Sequence, residues 1–121
     1  MFGGMSERKI EKAETKSQDG GLRFQFTRYA DGAGKWVRHG DFKAFYTDGT
    51  LASEGHYQDG KEHGPWKDFH DNGEIAAEGA YKDGRQHGTW KYFGLEGKVE
   101  ETIEFVDGVE QNKKPRRKKK D

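Results

Sequence analysis

The stretch HGPWKDFHDNGEIAAEGAYKDG, from His63 to Gly84, has a near copy of itself on either side. His39-Gly40 opens HGDFKAFYTDGTLASEGHYQDG and His87-Gly88 opens HGTWKYFGLEGKVEETIEFVDG, so the three copies start 24 residues apart with no slippage. Self-similarity at a fixed period of this size marks a stacked array, in which one unit cannot bury a core alone and its neighbours complete it. The repeat therefore comes before any residue-level question about function.

Each copy is punctuated twice. One turn signal falls at Asp48-Gly49, Asn72-Gly73 and Glu96-Gly97, a second at Asp59-Gly60, Asp83-Gly84 and Asp107-Gly108. Asn-Gly and Asp-Gly between strand-like runs are strong hairpin signals, because glycine accepts the positive φ that a type I′ turn needs. Two turns per period predict two strands per period. DFKAFY, PWKDFH and TWKYFG are the first strands; TLASEGHY, EIAAEGAY and KVEETIEF are the second. In the second strands a period of two puts Leu51, Ser53, Gly55 and Tyr57 on one face, then Ile75, Ala77, Gly79 and Tyr81, then Val99, Glu101, Ile103 and Phe105. The small residues there leave room for neighbouring rings. In the first strand Trp66 and Phe69 are three apart, which requires either a bulge or rings on both faces.

Composition bounds the rest. The chain has 121 residues, with 30% hydrophobic and 36% charged residues, so its core is thin and rests on 3 Trp, 5 Tyr and 8 Phe. With no cysteine there are no disulfides, thiolate metal sites or Cys nucleophile, and a reducing, cytoplasmic setting is expected, or a nuclear one in a eukaryotic host. No run approaches the 18 apolar residues of a membrane span, and the first residues lack the apolar run of a secretory signal. Formal net charge is zero but unevenly spread: residues 113–121 hold seven of the 22 Lys+Arg and one of the 22 Asp+Glu, hence +6, which leaves −6 on residues 1–112.

Along the chain, residues 1–21 read as a disordered segment with a helical turn in SERKIEKAE. Residues 22–110 form the repeat domain: an atypical cap over 22–38, whose insertion AGKW lengthens the first unit, then units 39–62, 63–86 and 87–110. Residues 111–121 are a basic tail.

The residues of the middle copy, Tyr57, Asp59-Gly60, His63-Gly64, Trp66, Phe69, Gly73, Ile75 and Glu78-Gly79, carry a pattern that resembles the MORN repeat. The likeness is to the variant found in many bacterial proteins and in a group named for the YwqK-type antitoxin. It covers about residues 29–108, with Phe42 in place of Trp in the first full unit and Thr102-Ile103 in place of Glu-Gly in the last. The resemblance implies an all-β, elongated antiparallel meander of hairpins that acts as a scaffold in protein–protein or membrane-linked assembly, without enzymatic activity. An antitoxin or immunity partner is one concrete version.

His39, His63 and His87 are two strands apart, roughly 10 Å at about 4.8 Å per strand, too far for one zinc with ligands at about 2.1 Å. Hydrogen bonding in the turns is the expected role of the imidazoles. No metal or other cofactor is expected. A His base partnered by Glu54 or Glu78 would need a unique constellation, whereas these groups are copied threefold, and DGAGK at residues 31–35 lacks the phosphate-loop spacing. No catalytic residue is assigned. For binding, the candidate partner face comprises His39, His63, His87, Trp66, Trp90, Lys67 and Lys91, with core packing as the competing role of the rings. The tail residues Lys113, Lys114, Arg116, Arg117, Lys118, Lys119 and Lys120 are the candidate contact for anionic lipid or nucleic acid. A protein is the principal expected partner. The last strand near EETIEFVDG could also pair with a second copy edge to edge.

Overall fold

A computed structural model describes residues 9–111, and over these the chain is one antiparallel meander of ten strands. β1 (Glu11–Lys16), β2 (Leu22–Ala30), β3 (Trp36–Tyr46), β4 (Leu51–Gln58), β6 (Gly64–Phe69), β7 (Ile75–Lys82), β8 (Arg85–Phe93), β9 (Val99–Val106) and β10 (Val109–Glu110) follow one another across the sheet in chain order. β5 (Lys61–Glu62) extends the hairpin of β4. Two strands per repeat, as read from the sequence, is the arrangement found.

Two kinds of turn alternate, and only one is of type I′. Asp59, Asp83 and Asp107 have φ of 47°, 49° and 49°, and each is followed by a glycine of positive φ, which is the two-residue hairpin turn. At the other turns only the glycine is left-handed, and a three-residue loop closes through Gly49 N–H to Tyr46 C=O (2.9 Å) and Tyr46 N–H to Thr50 C=O (2.8 Å). There the Asp48 carboxylate and the Asn72 amide oxygen each accept the backbone N–H two residues on.

Of the two readings of the Trp66–Phe69 spacing, rings on both faces is the one found. Within each repeat a bulge stands on the second strand: Asp68 pairs Ala77 while Phe69 pairs Ile75, leaving Ala76 extra, and the same shift occurs at Ala52 and Glu100. The first strand keeps its alternation, so Trp66 and Asp68 share one face while Lys67 and Phe69 take the other.

Between repeats the irregularity lies at His-Gly. From Glu78 to Ala80 β7 advances two residues while its partner advances four, from Lys91 back to His87. The seam between β2 and β3 has the same step, and there Gly40 stands at φ 109° with the Thr27 hydroxyl donating to the His39 carbonyl. Gly64 and Gly88, at φ 90° and 86°, repeat the left-handed backbone at this step, which a residue with a Cβ adopts only under strain.

The core lies on one face and is a file of rings. Phe42 stacks on Trp66 at 5.6 Å between centroids, and Trp66–Tyr81 and Tyr81–Trp90 meet edge to face at 5.3 and 5.2 Å. Trp66 lies over Gly55 of the preceding repeat and Trp90 over Gly79, so close that a Cβ on either glycine would stand only 2.1–2.6 Å from atoms of the indole. This explains the departure at the last unit: Ile103 occupies the place of those glycines where no further tryptophan follows. At the first unit the Arg38 guanidinium lies 4.4 Å from the Phe26 ring centroid and 5.3 Å from that of Phe42.

One expectation is corrected. Residues 11–16, placed by sequence in the disordered segment and partly in a helical turn, form β1, which pairs with β2 from Glu11–Arg28 to Lys16–Arg23. Its six residues EKAETK send only Ala13 to the core, so the hydrophobic alternation of a strand is missing, and cross-strand pairing with β2 supplies the order instead. A charged strand at this border also suits an edge. The remaining residues of that segment, 1–8, and the basic residues 113–120 lie outside the described region.

Candidate functional site

The three repeated histidines are part of the frame. Nδ1 of His39, His63 and His87 accepts the backbone N–H of Asp59, Asp83 and Asp107 at 3.0, 3.3 and 3.2 Å. Each imidazole thus ties a strand to the turn 20 residues on, at the left-handed aspartate, and an Nδ1 that accepts leaves the ring proton on Nε2. The neighbouring bond from Gly60, Gly84 or Gly108 N–H to the carbonyl of Arg38, Glu62 or Gln86, 2.8 Å in every case, closes the same end. At the opposite end Tyr46 Oη donates to the Phe69 carbonyl (2.6 Å), and His70 Nε2 to that of Phe93 (2.9 Å), from one repeat to the next. Replacing His63 with Ala is expected to cost about 1 kcal/mol, as for an ordinary hydrogen bond whose partner keeps access to water. Equal and additive losses at His39 and His87 in urea unfolding would confirm one shared role.

The proposed partner face divides in two. Trp66 is 8% and Trp90 1% exposed, so neither ring presents a surface to a partner; both belong to the core. Their indole N–H groups are satisfied internally, Trp66 by the Asp68 carboxylate at 3.2 Å and Trp90 by the Ala80 carbonyl at 2.9 Å. Lys67 and Lys91, one residue along, point to the opposite face. There the strands place Lys43 opposite Glu54, Glu54 opposite Lys67, Lys67 opposite Glu78 and Glu78 opposite Lys91. One straight row of alternating charge crosses β3, β4, β6, β7 and β8. Opposite charges directly across an antiparallel pair support each other by about 0.2–1 kcal/mol. Glu54 and Glu78 belong to this row rather than beside a histidine as partners of a base.

On the core face Asp68 stands beside the rings, where the other repeats have Ala44 and Tyr92. It accepts from Ser53 Oγ at 2.7 Å as well as from Trp66. Burial pushes the Tyr81 hydroxyl up from its ordinary 10 to about 12, with the Asp68 and Glu62 carboxylates adding to the rise. A phenol whose folded value is raised holds its proton more tightly folded than unfolded. The contribution of Tyr81 to stability is therefore complete below pH 10 and lost as pH rises from 10 through about 12. Tyr81→Phe is expected to lessen that alkaline loss relative to the parent chain, read from urea midpoints across this pH range.

Among the described residues no group of three His, Cys, Asp or Glu side chains is close enough to hold a metal ion, and no helix is long and apolar enough to cross a membrane.

The repeating geometry has a counterpart among known families. The family described as MORN repeat variant matches residues 38–59, 62–83 and 86–107, together more than half of the chain. The chain belongs to this family. No curated protein matches it. MORN repeats serve as non-catalytic modules of protein interaction, and each matched unit here runs from the residue before a clasp histidine to the aspartate whose N–H it receives. The ring-on-glycine contacts, by contrast, join one MORN unit to the next.

Proposed function

We propose that this MORN-repeat chain is a protein-binding scaffold whose partner lies across the face bearing Lys43, Glu54, Lys67, Glu78 and Lys91. The observation that carries this reading is the charge row itself: the other face buries its tryptophans in the core, while this one presents a Lys–Glu pair in the first two units and continues to Lys91, which stands opposite Thr102, in the third. A repeated row favours an extended partner that meets several units at once, each contact raising the effective concentration of the next. The charge of −6 on residues 1–112 suits a partner with a basic surface, the arrangement an antitoxin or immunity protein would present to a cationic target.

The test is native co-purification followed by titration of the recovered protein against the parent and the Lys67→Gln/Lys91→Gln variant. Affinity is expected to fall by about tenfold or more while the thermal midpoint changes little, since the charges are removed without reversal. An unchanged affinity would place the partner elsewhere.

A second reading makes the basic tail an adhesive for anionic phospholipid or nucleic acid, with the repeats as its spacer. The seven cations within residues 113–120 favour it. Retention on phosphatidylserine vesicles or single-stranded RNA, lost when these seven are changed to glutamine in the full chain, would support it. Equal retention would refute it.

A further inference from the structure

The cap carries a charge pattern that the later units do not repeat. β1, β2 and β3 align Glu11, Arg28 and Arg38 in one row across the sheet. Arg38 stands where the following units have Glu62 and Gln86, and its carbonyl accepts the N–H of a turn glycine as theirs do. Two arginines therefore stand directly across an antiparallel pair, an arrangement that is unfavourable by itself. Both lie on the ring face. Ala13 and Phe26, the nearest cross-strand pair on that face, belong to the core, and the Arg38 guanidinium lies over the rings of Phe26, Phe42 and Tyr57 at 4.4, 5.3 and 5.4 Å from their centroids. The Arg28 guanidinium lies 3.8 Å from the centroid of the Trp36 ring. Trp36 closes the insertion AGKW and is 49% exposed, whereas Trp66 and Trp90 are buried.

These two guanidiniums have more donors than acceptors. An arginine side chain carries five N–H donors and no acceptor. Among the described residues, Arg28 is bonded to the Glu11 carboxylate at 3.2 Å and Arg38 to the Tyr57 hydroxyl at 3.3 Å, and Arg28 Nε is buried without an acceptor. Glu11 offsets one of the two charges, so the row keeps one positive charge beside the rings, where a low local dielectric strengthens any attraction. A single carboxylate balances it and matches the planar fork of a guanidinium. A doubly charged phosphate would overshoot the balance on a body of charge −6. The half-exposed indole of Trp36 adds an apolar wall beside the charge.

We propose that Arg28, Arg38 and Trp36 form a binding site for one acidic side chain of a peptide, with its carboxylate on the two guanidiniums and its apolar neighbour against the indole. The site lies on the opposite side of the sheet from the Lys–Glu row and does not depend on it.

Titration of the full chain with two blocked peptides, Leu-Glu-Leu and Leu-Gln-Leu, tests this at constant ionic strength. The readout is the nuclear magnetic resonance of the Arg28 and Arg38 Nε–H groups and the Trp36 indole N–H. The glutamate peptide should shift all three saturably, and the glutamine peptide should bind about tenfold more weakly or less, for want of the charge-assisted bonds. Trp36→Ala, at an exposed position, should weaken the glutamate peptide several-fold while leaving acetate, which has no group to set against the indole, unaffected. Arg38→Lys keeps the charge without the fork and should weaken peptide and acetate alike. Shifts linear in concentration, equal affinity for the two peptides, or affinities unchanged in both variants would overturn the proposal. Inorganic phosphate bound more tightly than the glutamate peptide would overturn it too, by making a phosphate the ligand.

Discussion

Changing Trp90 to alanine is expected to cost about 3–5 kcal/mol of unfolding free energy. A single sheet with a thin core has few large buried groups, and Trp90 is the most enclosed of them at 1% exposure. Its indole covers Gly79, meets the Tyr81 ring at 5.2 Å, stacks on Tyr92 at 6.2 Å and donates to the Ala80 carbonyl at 2.9 Å. Truncation removes this buried area, opens a void between two repeats and releases a carbonyl from its bond. Against a domain stability of about 5–15 kcal/mol the loss is a large fraction. Trp66→Ala acts by the same route but toward the lower end, because that ring is 8% exposed and its N–H bonds a neighbouring carboxylate. Urea unfolding measures both, and a loss below about 1 kcal/mol at Trp90 would mean that the ring is not core.

The second large effect comes from the other half of the same contact. Valine is a better strand residue than glycine, so on propensity alone Gly79→Val would stabilise β7. The indole above forbids it: a Cβ would stand 2.3–2.5 Å from atoms of the Trp90 indole, and displacing that ring is expected to cost about 3 kcal/mol. With Trp90 already reduced to alanine, the same valine fills part of the void. The double-mutant cycle should therefore show a favourable coupling of about 1–3 kcal/mol, and additive losses would contradict the ring-on-glycine contact. Ile103 shows the rule from the other side, a large residue standing where no ring follows.

Much of this was legible in the sequence because repetition amplifies weak local signals. Three copies in phase made the strands and turns readable from Asp-Gly and His-Gly alone. β1 was not legible, since EKAETK has no apolar face and owes its conformation to β2. Nor was the division of the candidate face. Adjacent Trp66 and Lys67 must diverge in a strand, but which of them faces out depends on where the rings find cover, and that cover is Gly55 in another repeat. The charge row was hidden for a like reason: Glu54, Lys67, Glu78 and Lys91 become neighbours only once the bulges fix the register.

The claim on which structure and function both depend is that the tryptophans are spent on joining repeats, leaving the opposite face for the partner. The α-proton chemical shifts of Gly55 and Gly79 in the free protein test it directly, because an aromatic ring stacked on a glycine shifts those protons strongly upfield. The structure predicts such shifts at both glycines, with cross-relaxation from Gly55 to the Trp66 indole and from Gly79 to that of Trp90. Random-coil shifts without those contacts would return the indoles to the surface and, with them, the binding site to the ring face.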